Sequence, residues 1–290
     1  MLVLAALSWG IATALTKVAL QQLAPLDLLS IEITVGALSM CAIALARGAR
    51  PTGPMLVIAL MGAIDPGLSF LLFDVGIART AATNAALLVA TETLFTAALA
   101  AMFLRERLDA RLAIALAAGS LGAVVVSLHS GGGGSNSLLG DLLCLGGALG
   151  AATYGVLARR FAPGREVLSL TAVQMLGAVV VCLPLGALGA AAGRSHLAHV
   201  DAGHLVAAVA VGVLATTIPF LLFNVAIERV TAMTAGLMLS LIPFFGTVSA
   251  VAMLSESLAA VQLLGGVLIV AAATLAALSA QPETASVAAG

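Results

Sequence analysis

The chain has 290 residues, of which 62% are hydrophobic and 9% charged, with a mean hydropathy of +1.19 and a formal net charge of −1. Soluble domains carry about 25% charged residues, so this composition cannot cover a water-facing surface and fits an integral membrane protein. The balanced charge excludes the basic footprint of a nucleic-acid binder, and Cys41, Cys144 and Cys182 lie singly in apolar runs without disulfide or metal spacing.

Apolar runs of about 20 residues are long enough to cross the hydrocarbon core. Ten such spans are predicted, at 2–20, 27–46, 55–77, 83–104, 110–129, 138–159, 167–192, 203–227, 232–254 and 258–279. Turn chemistry separates them: Ala24-Pro25, the stretch from Arg47 to Pro54, Ala162-Pro163-Gly164, and the segment 193–204. The first run lacks a basic lead and carries Trp9 and Lys17, which argues against a secretory signal. Gly131–Gly134 with Ser135-Asn136-Ser137 reads as a flexible linker. It divides the chain into 1–130 and 138–280, five spans each, followed by a flexible tail at 281–290 that is expected, like the N-terminus, in the cytoplasm.

Residues 68–108 and 218–258 align without a gap at an offset of 150 and agree at 15 of 41 positions. Phe70/Phe220, Phe73/Phe223, Arg79/Arg229, Phe95/Phe245, Leu104/Leu254 and Glu106/Glu256 are among the matches. A fixed offset over that length indicates an internal repeat. Five spans per unit is odd, so the second unit is expected upside down relative to the first. The basic residues agree. With the N-terminus inside, Arg47, Arg50, Arg105, Arg107, Arg111, Arg159, Arg160, Arg165 and Arg229 are cytoplasmic, and only Lys17, Arg79 and Arg194 are outside. Arg105, Arg107 and Arg111 correspond to Ser255, Ser257 and Val261, as expected of a copy facing the other way. The fold class predicted is an all-α integral membrane protein of ten transmembrane helices in two inverted five-helix repeats.

A weaker echo at offset 145 joins Ser8-Trp9-Gly10 to Thr153-Tyr154-Gly155. Spans four and nine carry Glu92-Thr93 and Ile242-Pro243, and the repeats close on Leu104-Arg105-Glu106-Arg107-Leu108 and Leu254-Ser255-Glu256-Ser257-Leu258. In their order and duplication these landmarks resemble the EamA branch of the drug/metabolite transporter superfamily over essentially the whole chain. The resemblance implies a ten-helix inner-membrane carrier, an exporter by preference, of small metabolites. Two departures stand out. Thr93 occupies the place of the family's usual proline, so span four is expected to be straighter than span nine. Glu32 stands where an Arg is common early in span two.

Ionisable groups inside a membrane are functional candidates by default. Asp65 and Glu92 fall near the middle of spans three and four and are the expected proton-coupling pair. Asp65 precedes Pro66-Gly67, which either kinks the span or frees backbone carbonyls. Asp74 lies nine residues on, half a turn out of phase on an unbroken helix, so it is not expected to share a cavity with Asp65. Its repeat mate is Asn224, and hydrogen bonding between helices is the favoured role for both. Glu32 and Lys17 are placed toward the outer ends of spans two and one, Glu32 as a recogniser of an amino group and Lys17 as a snorkelling base. Trp9 and Tyr154, the only Trp and Tyr, sit within spans and are expected to line a shared cavity. The outer-loop residues His196, His199, Asp201 and His204 have metal-like intervals, but a solvated loop accounts for them better. The glycine pairs 146/150 and 189/193 are expected to let helices approach closely.

The chain is therefore expected to be a secondary transporter working by alternating access, without a cofactor, its partners being a small-molecule substrate, the lipid bilayer and protons. The midplane site would be lined by Trp9, Glu32, Asp65, Glu92, Tyr154 and Asn224. Sparse charge disfavours a polyanion and favours a neutral or zwitterionic, amino-acid-like metabolite. The alternatives are an intramembrane enzyme, opposed by the absence of HExxH and GxSxG motifs, and a non-transporting scaffold or sensor, which predicts no polar path through the middle.

Overall fold

The structure is a computed structural model in which residues 1–103, 110–128, 137–161, 164–227, 238–239 and 241–279 are described. The expected linker 131–136, the tail 281–290, the first closing signature 104–108, Arg229 and the start of span nine lie outside the described residues. The described elements are all helical. In chain order they are α1 (Leu2–Ala19), α2 (Pro25–Ala46), α3 (Met55–Gly62), α4 (Ser69–Ile77), α5 (Ala82–Val89), α6 (Thr91–Phe103), α7 (Ala110–Leu128), α8 (Leu138–Phe161), α9 (Val167–Ala191), α10 (Ala202–Val211), α11 (Ile218–Ile227), α12 (Ile242–Leu254) and α13 (Ala260–Ser279). Wide π-helical turns, Ala63–Leu68 and Gly212–Thr217, join α3 to α4 and α10 to α11.

Seven helical stretches are long and apolar enough to cross a membrane: Leu2–Ala19, Pro25–Ala46, Met55–Ile77, Ala82–Leu99, Leu138–Ala158, Val167–Ala191 and Ala202–Ala226. Ala113–Val126, Ile242–Leu254 and Ala260–Leu275 are shorter apolar helices. The protein is a multi-pass membrane protein. Large side chains such as Leu45, Leu56, Val180, Leu188, Val206 and Leu264 point outward, whereas alanine, glycine and hydroxyl side chains fill much of the interior. That is the arrangement expected where lipid is as apolar as leucine and helices associate by close backbone approach.

The closest crossings are reciprocal. A Cβ on Gly62 of α3 would press into the carbonyl of Gln174 on α9, and one on Gly177 of α9 into the carbonyl of Ala59 on α3. Gly122 of α7 and Gly265 of α13 meet in the same manner, each placing a notional Cβ 2.8 to 2.9 Å from the other's carbonyl oxygen. Gly10 on α1 faces the backbone of Phe245 and Gly246 on α12, which gives the glycine beside Trp9 a packing reason. The expected glycine pairs are only half right. Gly150 meets Ser69 and Gly189 meets Leu26, but Gly146 has only the tip of Leu72 at 3.3 Å. Gly193, at φ +69°, serves the turn after α9 with nothing near it.

Polar groups at helix ends gather at one end of the bundle. Lys17 Nζ donates to the carbonyls of Ile77 and Thr80, both at 2.7 Å, where α4 ends. Arg79 donates to Val75 in the same turn at 2.9 Å. The Glu256 carboxylate accepts from the amides of Ala82 (2.9 Å) and Thr83 (2.8 Å), capping α5 from the end of α12. Ser137 N donates to Arg79 O at 3.1 Å, Thr80 to Asp141 at 2.6 Å, and Gln262 to Asn84 at 2.6 Å. Lys17 is thus a helix cap rather than a snorkelling base. In the first turn of α2, Asp27 accepts from His196 N at 2.8 Å.

Span four breaks at Ala90, between α5 and α6, although Thr93 stands in the proline position; the start of its counterpart, span nine, lies outside the described residues. The Thr91 hydroxyl donates to Leu88 O at 2.7 Å, offering that carbonyl a side-chain partner at the break.

Candidate functional site

Both π turns interrupt helices at matching places in the repeat, and an interrupted helix leaves carbonyls that need partners. In the second, Ser8 Oγ donates to Leu214 O at 2.6 Å and Trp9 Nε1 to Ala215 O at 2.9 Å. Thr216 donates to Gly212 O within the turn. In the first, Ser69 Oγ reaches back to Ile64 O at 2.9 Å. Asp65 lies inside this turn with extended backbone, φ −144° and ψ 121°. The helix is therefore broken at the residue whose phase mattered, and Asp65 and Asp74 face the same space.

That space is a cavity of about 130 Å³ lined by both halves of the chain. Trp9 of α1, Glu32 of α2, Asp65 of the first π turn, Asp74 of α4, Glu92 of α6 and Tyr154 of α8 all contribute to it. Five of the six expected binding residues thus share one cavity. Asn224 does not line it. Its amide donates to Thr171 Oγ1 at 2.8 Å, and its Oδ1 lies 3.4 Å from the Tyr154 hydroxyl, which is 3.3 Å from Gln174 Oε1. Asn224 is a strut between α11 and α9 behind Tyr154.

Glu32 is not at a mouth of the protein. It is 1% exposed and, like Asp74 at 3%, lines the cavity. Asp65 is 5% exposed and its Oδ1 has no hydrogen-bond partner among the described residues. Glu92, half-buried, opens onto the cavity within electrostatic reach of Asp65. All four acids line the same cavity.

Aromatic rings close the remainder. Phe220, 2% exposed, is the hub: its ring centroid lies 5.8 Å from Trp9, 5.9 Å from Tyr154 and 6.3 Å from Phe70. Phe223 stands 6.2 Å from Trp9. Phe70, Phe73, Phe220 and Phe223 all line the cavity and were not expected as site residues. Their signal was in the sequence: all four are identities of the 150-residue repeat.

The histidine loop forms a cap, not part of this site. Asp201 accepts from the backbone of His204 at 3.0 Å and from its ring at 2.8 Å, which with Gln22 holds its carboxyl at about 2. No cluster of metal-binding side chains occurs among the described residues.

The EamA-like transporter family matches residues 1–128 and 138–278. The threonine/homoserine exporter RhtA of Escherichia coli strain K12 is 30% identical over 147 residues, 51% of this chain and 48% of that protein. The chain thus matches about half the length of that exporter. An uncharacterized transporter of Clostridium kluyveri is 22% identical over 255 residues, 85% of this chain and 81% of that protein. A protein of known crystal structure shares the fold over 96% of both chains, with a TM-score of 0.63 at 21% identity.

Proposed function

Because the chain belongs to the EamA-like transporter family, we propose that it is a secondary carrier exporting a small amino-bearing metabolite across the inner membrane by alternating access. Its relatives are transporters rather than enzymes, and the threonine/homoserine exporters put amino-acid-like solutes among the candidates. The observation that carries the reading is the cavity itself: a largely apolar chamber walled by both halves of the chain into which four carboxyl groups are set. A scaffold has no use for so costly an arrangement.

In this reading ten spans form two inverted repeats, residues 1–130 and 138–280. The polar cluster at one end of the bundle supports the inversion. There α1 finishes where its counterpart α8 begins, and span four begins, at α5, where its counterpart span nine finishes, after α12. The arginine-rich loops favour a cytoplasmic location for the opposite end and both termini. The two π turns at matching positions are the joints about which the halves rock. Asp65 and Glu92 hold and release the coupling proton, and substrate occupies the space between them and the rings.

Purified protein in proteoliposomes, given labelled amino acids and small amines with and without a pH gradient, tests this. Gradient-dependent uptake is expected in the wild type and at least about tenfold less in Glu92→Gln. Uptake indifferent to both the gradient and the substitution would overturn the proton role.

A further inference from the structure

The charge inside the cavity is one-sided. Glu32, Asp65, Asp74 and Glu92 line it, and no Lys, Arg or His does so among the described residues. Lys17, on a helix that lines the cavity, has its ammonium committed to the carbonyls of Ile77 and Thr80. Four acids alone do not make a site, but two further features point to a ligand. Asp65 Oδ1 is a buried acceptor without a partner among the described residues, on a side chain that lines the cavity. A buried acceptor left bare costs free energy that an incoming donor recovers. Rings line the same cavity: the centroids of Trp9 and Tyr154 lie within 6 Å of that of Phe220, and the negative face of an aromatic ring attracts cations.

We propose that the cavity selects organic cations: compact amines, including quaternary ones, whose positive charge rests between Asp65 and Glu92 on one side and the rings of Trp9, Tyr154 and Phe220 on the other. This rests on the carrier reading above and narrows its substrate class. A zwitterionic amino acid satisfies half of such a site. Its ammonium finds carboxylates and rings, but its own carboxylate meets no base and lies near four acids. Like charges brought together in a dehydrated space are strongly disfavoured. Compounds whose carboxylate is absent or esterified are therefore preferred over the free amino acid.

Trp9 is the chain's single tryptophan and lines the cavity, so its emission reports occupancy without a label. Purified full-length protein in lipid nanodiscs is titrated with threonine, threonine methyl ester and tetramethylammonium while Trp9 fluorescence is followed. The ester differs from threonine chiefly in lacking the negative charge. It is expected to bind at least about tenfold more tightly than threonine, with tetramethylammonium also shifting the emission. Asp65→Asn and, as a second near-isosteric variant, Glu92→Gln are expected to shrink that preference several-fold. Threonine binding as tightly as its ester, or emission that no cation alters, would overturn the proposal from the wild type alone. A preference unchanged in both variants would overturn the assignment to these acids. Uptake of the same compounds by proteoliposomes separates the two readings: threonine carried in preference to its ester ends the cation proposal but leaves a carrier, while transport of neither compound by protein that binds the ester counts against the carrier.

Discussion

Gly177→Val is expected to cost the protein its fold, lowering the yield of monodisperse detergent-solubilised protein by roughly tenfold. The physical reason lies in the α3–α9 crossing. Gly177 packs on the carbonyl of Ala59 while Gly62 packs on the carbonyl of Gln174, so each helix uses its glycine to admit the other's backbone. A side chain there has no flexible neighbour to displace and must push two helices apart. Overpacking of a close-packed interior costs about 3 kcal/mol, and in this place it also displaces the π turn that carries Asp65. Gly146→Ala is the matched control, since its new methyl meets only the end of Leu72. Thermal unfolding of both variants by size-exclusion recovery distinguishes them. Equal recovery would mean that the crossing relaxes and that α3 and α9 are less closely coupled than their geometry indicates.

The second large effect is expected at Glu256. Its carboxylate accepts from the first two amides of α5, and Lys17 takes the carbonyls at the end of α4. Together they satisfy both sides of the Ala78–Ala81 break with side chains from α1 and the end of α12. Hydrogen bonds from buried amides to a carboxylate are worth about 2 kcal/mol each, and no second acceptor replaces one removed by truncation. Glu256→Ala is expected to lower the recovery midpoint on heating by several degrees and to raise hydrogen exchange at Ala82 and Thr83. Glu256→Gln, which keeps one acceptor oxygen, is expected to fall between alanine and wild type. Exchange at those amides left unchanged by Glu256→Ala would remove the capping role.

Much of this was readable in the residues, because membrane depth and repetition both leave patterns that survive folding. The apolar runs mark the helices, and the 150-residue offset marks the four phenylalanines that ring the cavity. Trp9 and Tyr154 were legible as internal rather than interfacial aromatics. What was not legible depended on local departures from regular helix. Asp74 looked out of phase with Asp65 because 3.6 residues per turn was assumed through Ala63–Leu68, where the chain instead makes a π turn with Asp65 extended. Lys17 and Glu32 were placed by their distance from span ends, but Lys17 finds its partners at the end of α4 and Glu32 lines the buried cavity. Asn224 was correctly polar yet stands behind Tyr154 rather than beside a substrate, a distinction that rests on which neighbour Thr171 presents. The expectation of a zwitterionic substrate came from sparse charge, with three acids at the expected site; the fold adds a fourth, Asp74.

The most direct test of the carrier reading is side-specific thiol labelling of the cavity. In a background with Cys41, Cys144 and Cys182 replaced by alanine, Ala151→Cys places one thiol on the cavity wall and Val206→Cys places one on the outward-facing surface. A membrane-impermeant maleimide applied to vesicles of either orientation is predicted to modify the first position from both faces and the second from neither. Modification of the cavity position from one face only, or from none, would contradict alternating access through this chamber.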